Sequence, residues 1–71
     1  MSRRSNAVHG LTAQQLEVAR LAASGLSNKE IGERLFLSSR TVSAHLYRIF
    51  PKLGITSRAA LRDALEDSAV N

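Results

Sequence analysis

The side chains best suited to chemistry in this sequence lie between residues 40 and 52, and they are suited to hydrogen bonding with a nucleic acid. If this segment is a helix, an advance of about 100° per residue places on one face Arg40, Ser43, Ala44 and Tyr47. Arg40 and Tyr47 can reach base edges, and the small residues between them let the backbone come close. Thr41 and Arg48 flank this face and can donate hydrogen bonds to phosphate. The spacing predicts a helix that reads a DNA groove.

The opposite face of the same segment is predicted to be buried, and its members are Val42, His45, Leu46 and Ile49. His45 follows Thr41 by four residues, so its imidazole could lie beside the Thr41 hydroxyl as a general base. The sequence supplies no third orienting group and no oxyanion site for such a pair. We therefore interpret His45 as a half-buried structural residue and expect no catalysis.

Two capping signatures predict the helices that hold these residues. Ser27 precedes Glu30 by three residues, and Ser38 precedes Thr41 by three, so each hydroxyl can accept an N–H at the start of a helix. Two short helices joined by a tight turn form a helix-turn-helix, whose second helix enters the groove. We predict this recognition helix at about residues 39–50.

Other residues predict a four-helix, all-α domain. Thr12 with Gln15 makes a further capping box for a first helix, and Pro51 limits how far the recognition helix runs. Ser57 is expected to cap a last helix at about residues 58–67. Every apolar group fits a spacing of three to four, so no strand is predicted.

The charge distribution also favours a phosphate-binding surface. The chain has ten basic and six acidic residues, a net charge of +4 and a pI near 10.8. No carboxylate interrupts the stretch between Glu33 and Asp63, which contains Arg34, Arg40, Arg48, Lys52, Arg58 and Arg62. Such a block is typical of nucleic-acid binding. Membrane binding would need an exposed apolar face, whereas the apolar residues here are needed for the core.

The predicted last helix is amphipathic and is a candidate dimer contact. Leu61, Ala64 and Leu65 share one side of it. Two copies joined there could bind paired half-sites about one helical turn apart. A helix that merely covers the core is an equally good interpretation, because alanines offer little area.

Length and composition predict one small domain in a soluble protein. We assign residues 1–10, with Arg3 and Arg4, to a flexible arm or linker remnant, residues 11–67 to the domain and residues 68–71 to a tail. There is no cysteine, and no apolar run approaches a transmembrane helix or a secretory signal. A cytoplasmic location is expected.

The segment from residue 11 to about residue 65 resembles the C-terminal DNA-binding domain of the LuxR/FixJ/NarL transcription regulators. The matching elements include GLSNKEI at residues 25–31, RTV at residues 40–42, KLG at residues 52–54 and SRA at residues 57–59. The resemblance implies four helices, with the third in the major groove and the fourth in a dimer contact. It also implies base-facing positions at Ser43, Ala44 and Tyr47, and phosphate contacts from Asn28, Lys29, Arg40, Thr41, Arg48 and Lys52.

Five residues depart from the family pattern, one of which is Ala60, where an acidic residue often completes the last capping box. Gln15 stands where Glu is common, Ser43 where Lys is frequent, Arg48 where Asn is usual and Gly32 where Ala is common. Ser43 reaches only a nearby base edge, so sequence preference is expected to depend on Arg40, Tyr47 and DNA shape. Gly32 is expected to weaken its helix, or to help where two helices cross closely.

Together these observations predict a sequence-specific double-stranded DNA-binding domain, the output domain of a bacterial transcription regulator, acting as a homodimer. We expect no cofactor, metal or small-molecule ligand in this domain. Two alternatives remain at this point: a helical protein-interaction module with a basic face, and a promoter-reading domain like that of a sigma factor.

Overall fold

Four α-helices follow one another in the computed structural model, which describes the backbone of residues 10–70 and the side chains of residues 10–66. The elements are α1 (Ala13–Ala23), α2 (Asn28–Leu35), α3 (Ser39–Leu53), a short 3-10 helix (Arg58–Ala60) and α4 (Leu61–Val70). No strand occurs among these residues, so the all-α prediction is confirmed. None of the helices described is long and apolar enough to cross a membrane. The rest of the predicted arm, with Arg3 and Arg4, and Asn71 of the predicted tail lie outside the described residues.

The first three helices begin where the capping signatures predict. Thr12 with Gln15 and Ser27 with Glu30 form complete capping boxes. Ser38 accepts the N–H of Thr41 at 3.1 Å. The predicted cap at Ser57 is wrong, because its side chain makes no capping hydrogen bond and the chain enters a 3-10 helix before α4. Local sequence thus determines the starts of α1, α2 and α3.

Helix α3 continues through Pro51 to Leu53, beyond the predicted end near residue 50. Proline removes one helical N–H and so frees the carbonyl of Tyr47. Pro51 lies on the exposed side of α3, where water can bind that carbonyl. The helix instead ends at Gly54, which adopts a left-handed φ of 71°, and the N–H of Ile55 donates to the Phe50 carbonyl at 3.0 Å.

The core lies between the helices and fixes the rotation of α3. Its buried apolar residues come from every helix and from the start of the domain: Leu11, Val18, Ala19, Ala22, Ile31, Val42, Leu46, Ile49 and Leu61. The buried stripe predicted for α3 is therefore confirmed at Val42, Leu46 and Ile49, while His45 is half-buried. Because this stripe faces inward, the opposite face of α3 faces solvent.

Gly32 allows the turn between α2 and α3 to lie directly against α2. The glycine is buried, its carbonyl accepts the N–H of Leu37 at 2.8 Å, and an added Cβ would collide with the Leu37 carbonyl oxygen. The expected close crossing at Gly32 is present. Its position helps to set the angle between α2 and α3.

The capping box at the start of α2 is expected to make folding sensitive to acid. The backbone N–H of Ser27 donates to the Glu30 carboxylate at 2.8 Å, and chiefly for this reason the pKa of Glu30 is lowered from its ordinary value of 4.5. A lowered folded-state pKa contributes stability that is present above pH 4.5 and is lost as the pH falls through the folded value. Glu30→Gln keeps an acceptor but does not titrate, so its free energy of unfolding should fall less from about pH 5 to about pH 3. Urea unfolding at both pH values measures this, and equal losses would contradict it.

Candidate nucleic-acid interface

The solvent-facing side of α3 forms the floor of a shallow hollow, here called the α3 hollow. Its lining residues are Asn28, Ser39, Arg40, Ser43, Ala44, Tyr47 and Arg48. Six of the seven are exposed, and Tyr47 retains 82% of its side-chain accessibility. The structure thus brings together the four residues predicted to face bases and two of those predicted to contact phosphate.

The α3 hollow has the electrostatic character that a phosphate-bearing ligand requires. Arg40 and Arg48 place two guanidinium groups on its wall, and none of the carboxylates that the structure describes lines it. Guanidinium is always charged at neutral pH and presents donors that match phosphate oxygens. The hydroxyls of Ser39, Ser43 and Tyr47 add neutral donors and acceptors. The hollow can therefore hold an anion and also form hydrogen bonds with base edges.

The other predicted phosphate contacts lie beside the hollow and not in its lining. Lys29 is exposed in the first turn of α2, and Thr41 is exposed in the first turn of α3 with its hydroxyl 2.9 Å from that of Ser38. Lys52 lies in the last turn of α3. Its ammonium group donates to the Gly10 carbonyl at 3.2 Å and to Gln15 Oε1 at 3.3 Å.

Gln15 keeps the charge of Lys52 available. The glutamine is 7% exposed, and its Oε1 accepts both the N–H of Thr12 and the ammonium of Lys52. An amide binds the ammonium without neutralising it, whereas a carboxylate at this position would form an ion pair. Lys52 therefore joins α3 to the start of α1 while its full positive charge remains.

The basic block that is continuous in sequence is divided in space. Arg34 lies beside Glu30 and Glu33, and Arg62 lies 3.7 Å from Glu66. Arg58 donates inward to protein acceptors. These three arginines therefore lie outside the lining of the α3 hollow, because successive helices turn the basic side chains in different directions.

The three residues of α4 predicted to form a dimer contact differ in how far they are buried. Leu61 is fully buried in the core of its own chain, so it offers no surface to a second copy. Ala64 and Leu65 are half-buried, and Leu65 lines a cleft between α1 and α4 with Arg20 and Arg62. Leu61 is therefore a core residue, and only the other two candidates retain exposed surface.

Sequence reasoning missed two features of this site. Ser39 lines the hollow, and extending the helical wheel back by one residue would have found it. The hydrogen bonds from Arg58 to Asn28 and Leu26 join residues 30 and 32 positions apart, so no local pattern predicts them. Among the side chains that the structure describes, no group of His, Asp or Glu could hold a metal ion.

Comparison with known proteins finds one matching family and relatives that share the same segment. The family described as "Bacterial regulatory proteins, luxR family" matches residues 9–64. A Mycobacterium tuberculosis protein named "Putative HTH-type transcriptional regulator" is 51% identical over 53 residues, which are 75% of this chain and 6% of that protein. The Fimbriae Z protein of Salmonella typhimurium is 49% identical over 53 residues, which are 75% of this chain and 25% of that protein.

A third relative is the Oxygen regulatory protein NreC of Staphylococcus aureus. It is 47% identical over 51 residues, which are 72% of this chain and 24% of that protein. The chain thus spans at most a quarter of the length of these three relatives. No solved structure matches it.

Proposed function

The chain belongs to the LuxR family of bacterial regulatory proteins, and on that premise we propose that it binds specific duplex DNA sequences with α3 in the major groove. It is a helix-turn-helix domain of the kind found in transcription regulators, and it is not an enzyme. The observation that carries the proposal is the α3 hollow. Two arginines and an exposed tyrosine lie there on a helix whose rotation is fixed by the buried stripe behind it.

Direct reading of bases would be performed by Arg40, Ser43, Ala44 and Tyr47. The major groove is about 12 Å wide and admits a helix, and an arginine there can bind guanine through two hydrogen bonds. Ser43 reaches only a nearby edge, and Ala44 offers at most a methyl contact with thymine. Base preference would therefore depend mainly on Arg40, Tyr47 and the deformability of the DNA.

Orientation on the duplex would come from contacts to phosphate on both sides of this face, which involve Asn28, Lys29, Thr41, Arg48 and Lys52. These contacts fix the register of α3 without reading sequence. The charged members, Lys29, Arg48 and Lys52, give the salt dependence of binding, since each phosphate that they neutralise releases counterions. Among the residues described, no carboxylate lines the α3 hollow, which supports this division of roles.

We further propose that two copies bind paired half-sites through α4, with Ala64 and Leu65 at the contact. The cleft beside Leu65 gives this helix edge a partly apolar surface. The matching segment is a minor part of each relative, which supports a role as the output domain of a longer cytoplasmic regulator such as a response regulator. A two-fold dimer would require half-sites about 10 base pairs apart.

Selection of bound sequences from a random duplex pool tests this function. We expect a recovered motif that occurs as two symmetry-related half-sites. We also expect the logarithm of the affinity to fall linearly with the logarithm of the salt concentration. Salt-dependent binding with no recovered motif would contradict sequence-specific reading and favour an interaction module with a basic face. A single unpaired motif would contradict the dimer and leave DNA reading in place.

Tyr47→Ala is expected to relax base preference more than it reduces overall affinity. Tyr47 is the large hydrophobic side chain of the reading face and is 82% exposed. Its substitution by alanine removes a proposed base contact and no charge. Arg48→Ala is the matched control on the same helix, and it should weaken binding to all sequences alike and flatten the salt slope by about one unit. Competition between the selected site and random DNA measures the difference, and equal effects of the two substitutions would refute these roles.

A further inference from the structure

Arg58 connects the approach to α4 with the start of the helix-turn-helix. Its Nη1 lies 2.7 Å from Asn28 Oδ1, and its Nη2 lies 2.7 Å from the carbonyl oxygen of Leu26. The arginine is half-buried, so both hydrogen bonds are partly shielded from water. Hydrogen bonds from a charged donor are stronger than those between neutral groups. Arg58 therefore holds both the segment before α2 and the first residue of α2.

The chemistry of the two side chains fixes the orientation of the Asn28 amide. Arginine carries only donors, whereas asparagine carries one oxygen acceptor and one nitrogen with two donor hydrogens. The atom of Asn28 that faces Arg58 must therefore be Oδ1. Its Nδ2 diverges from the same carbon, and among the described residues it has no acceptor, so it can donate to a ligand.

Asn28 lies where its hydrogen-bond donor could contact a ligand in the α3 hollow. It lines the α3 hollow together with Arg40, Tyr47 and Arg48, although it belongs to α2. Arg58 does not line that hollow. It lines an adjoining pocket with Asn28, Ser43 and Tyr47. A ligand in the hollow would therefore meet Asn28, whose amide oxygen the arginine binds. If the amide were rotated by 180°, the same ligand would meet an oxygen, which repels phosphate.

We propose that Arg58 is a positioning residue for DNA binding and acts through Asn28, whose Nδ2 it presents to a backbone phosphate. This inference rests on the proposed function, which supplies the phosphate. The 3-10 helix before α4 would then contribute to DNA binding through the hydrogen bond from Arg58 to Asn28. This hydrogen bond also gives one physical link between the proposed dimer helix and the helix-turn-helix.

The test compares Arg58→Lys in the wild-type and Asn28→Ala backgrounds. Lysine keeps the charge but lacks the planar fork that binds two acceptors at once. We expect Arg58→Lys to weaken DNA binding about fivefold in the wild-type background and less than about twofold in the Asn28→Ala background, the signature of coupled residues. Binding is measured at a temperature at which circular dichroism shows each variant to be folded. An unchanged Kd in the wild-type background, or equal losses in both, would overturn the proposal, because a purely structural role lowers stability without coupling to Asn28.

A second measurement uses the wild-type protein alone. Proton–nitrogen correlation spectra follow the Asn28 Nδ2 hydrogens during titration with the selected duplex. We expect these signals to move and to saturate together with the backbone signals of α3. Side-chain signals that stay fixed while α3 signals move would overturn the inference and leave the proposed function standing. If no duplex moves any signal of α3, the proposed function itself fails, so the two failures are distinguishable.

Discussion

The combined substitution of Arg40 and Arg48 by alanine is expected to weaken binding to the selected duplex about a hundredfold. Each arginine would lose a charge-assisted hydrogen bond, a class of interaction that contributes about 1.5 to 3 kcal/mol, and about 3 kcal/mol in total corresponds to roughly two powers of ten in Kd. Both side chains are exposed, so the free energy of unfolding should change little. Titration at several salt concentrations should also give a slope shallower by about 0.9 units, for the one phosphate that Arg48 would neutralise.

The matched control replaces Arg34 and Arg62 by alanine. This pair removes the same net charge, but Arg34 lies beside Glu30 and Glu33, and Arg62 lies beside Glu66. If the α3 hollow is the DNA interface, the control should change the Kd only a few-fold, through the long-range field. Similar losses from both pairs would show that net charge, and not the position of the cations, governs binding.

Ile49→Ala is expected to unfold much of the domain at growth temperatures. Ile49 is fully buried, and it lies on the core side of the helix that carries the reading face. Replacing a buried isoleucine by alanine lowers the free energy of unfolding by about 2 to 5 kcal/mol. A domain of this length has a total free energy of unfolding of about 4 to 11 kcal/mol, at about 0.05–0.15 kcal/mol per residue. We expect Tm to fall by about 15 °C or more, at 4 to 8 °C per kcal/mol. Thermal unfolding followed by circular dichroism measures it.

Tyr47→Ala provides the control on the same helix two residues earlier. It removes a larger side chain, but one that is 82% exposed, so Tm should stay within about 2 °C. Relaxed base preference in a folded Tyr47→Ala protein, beside loss of folding by Ile49→Ala, would separate the two faces of α3. A Tm equally low for both variants would mean that the assignment of inward and outward faces is wrong.

Much of this fold was predictable because its signals are local. A hydroxyl three residues before an amide or carboxylate, as in Thr12 with Gln15 or Ser27 with Glu30, satisfies helix-start donors whatever the rest of the chain does. The stripe of Val42, Leu46 and Ile49 follows from helical periodicity alone. Its position also implies which side of α3 faces solvent, so the residues of the reading face could be named before the structure.

The errors of prediction arose where distant parts of the chain meet. Leu61 has the spacing of an edge residue on α4, but packing against the other helices buries it completely. Pro51 has the usual signature of a helix end, but it lies on the exposed side of α3 and the helix continues to Leu53. The charge of the basic block could be counted in the sequence, but its distribution over separate surfaces depends on how the helices are arranged.

The sequence by itself determined the starts of α1, α2 and α3, the rotation of α3 and the side chains that this rotation exposes, because capping and periodicity involve residues within about one helical turn. Only the tertiary structure decided that Arg58 binds Asn28, that Lys52 binds Gly10 and Gln15, and that the hollow combines residues of α2 and α3. The hydrogen bonds join residues 30 or more positions apart, and the hollow joins two different helices. Their geometry is set by how the buried faces pack against one another, which no short stretch of sequence contains.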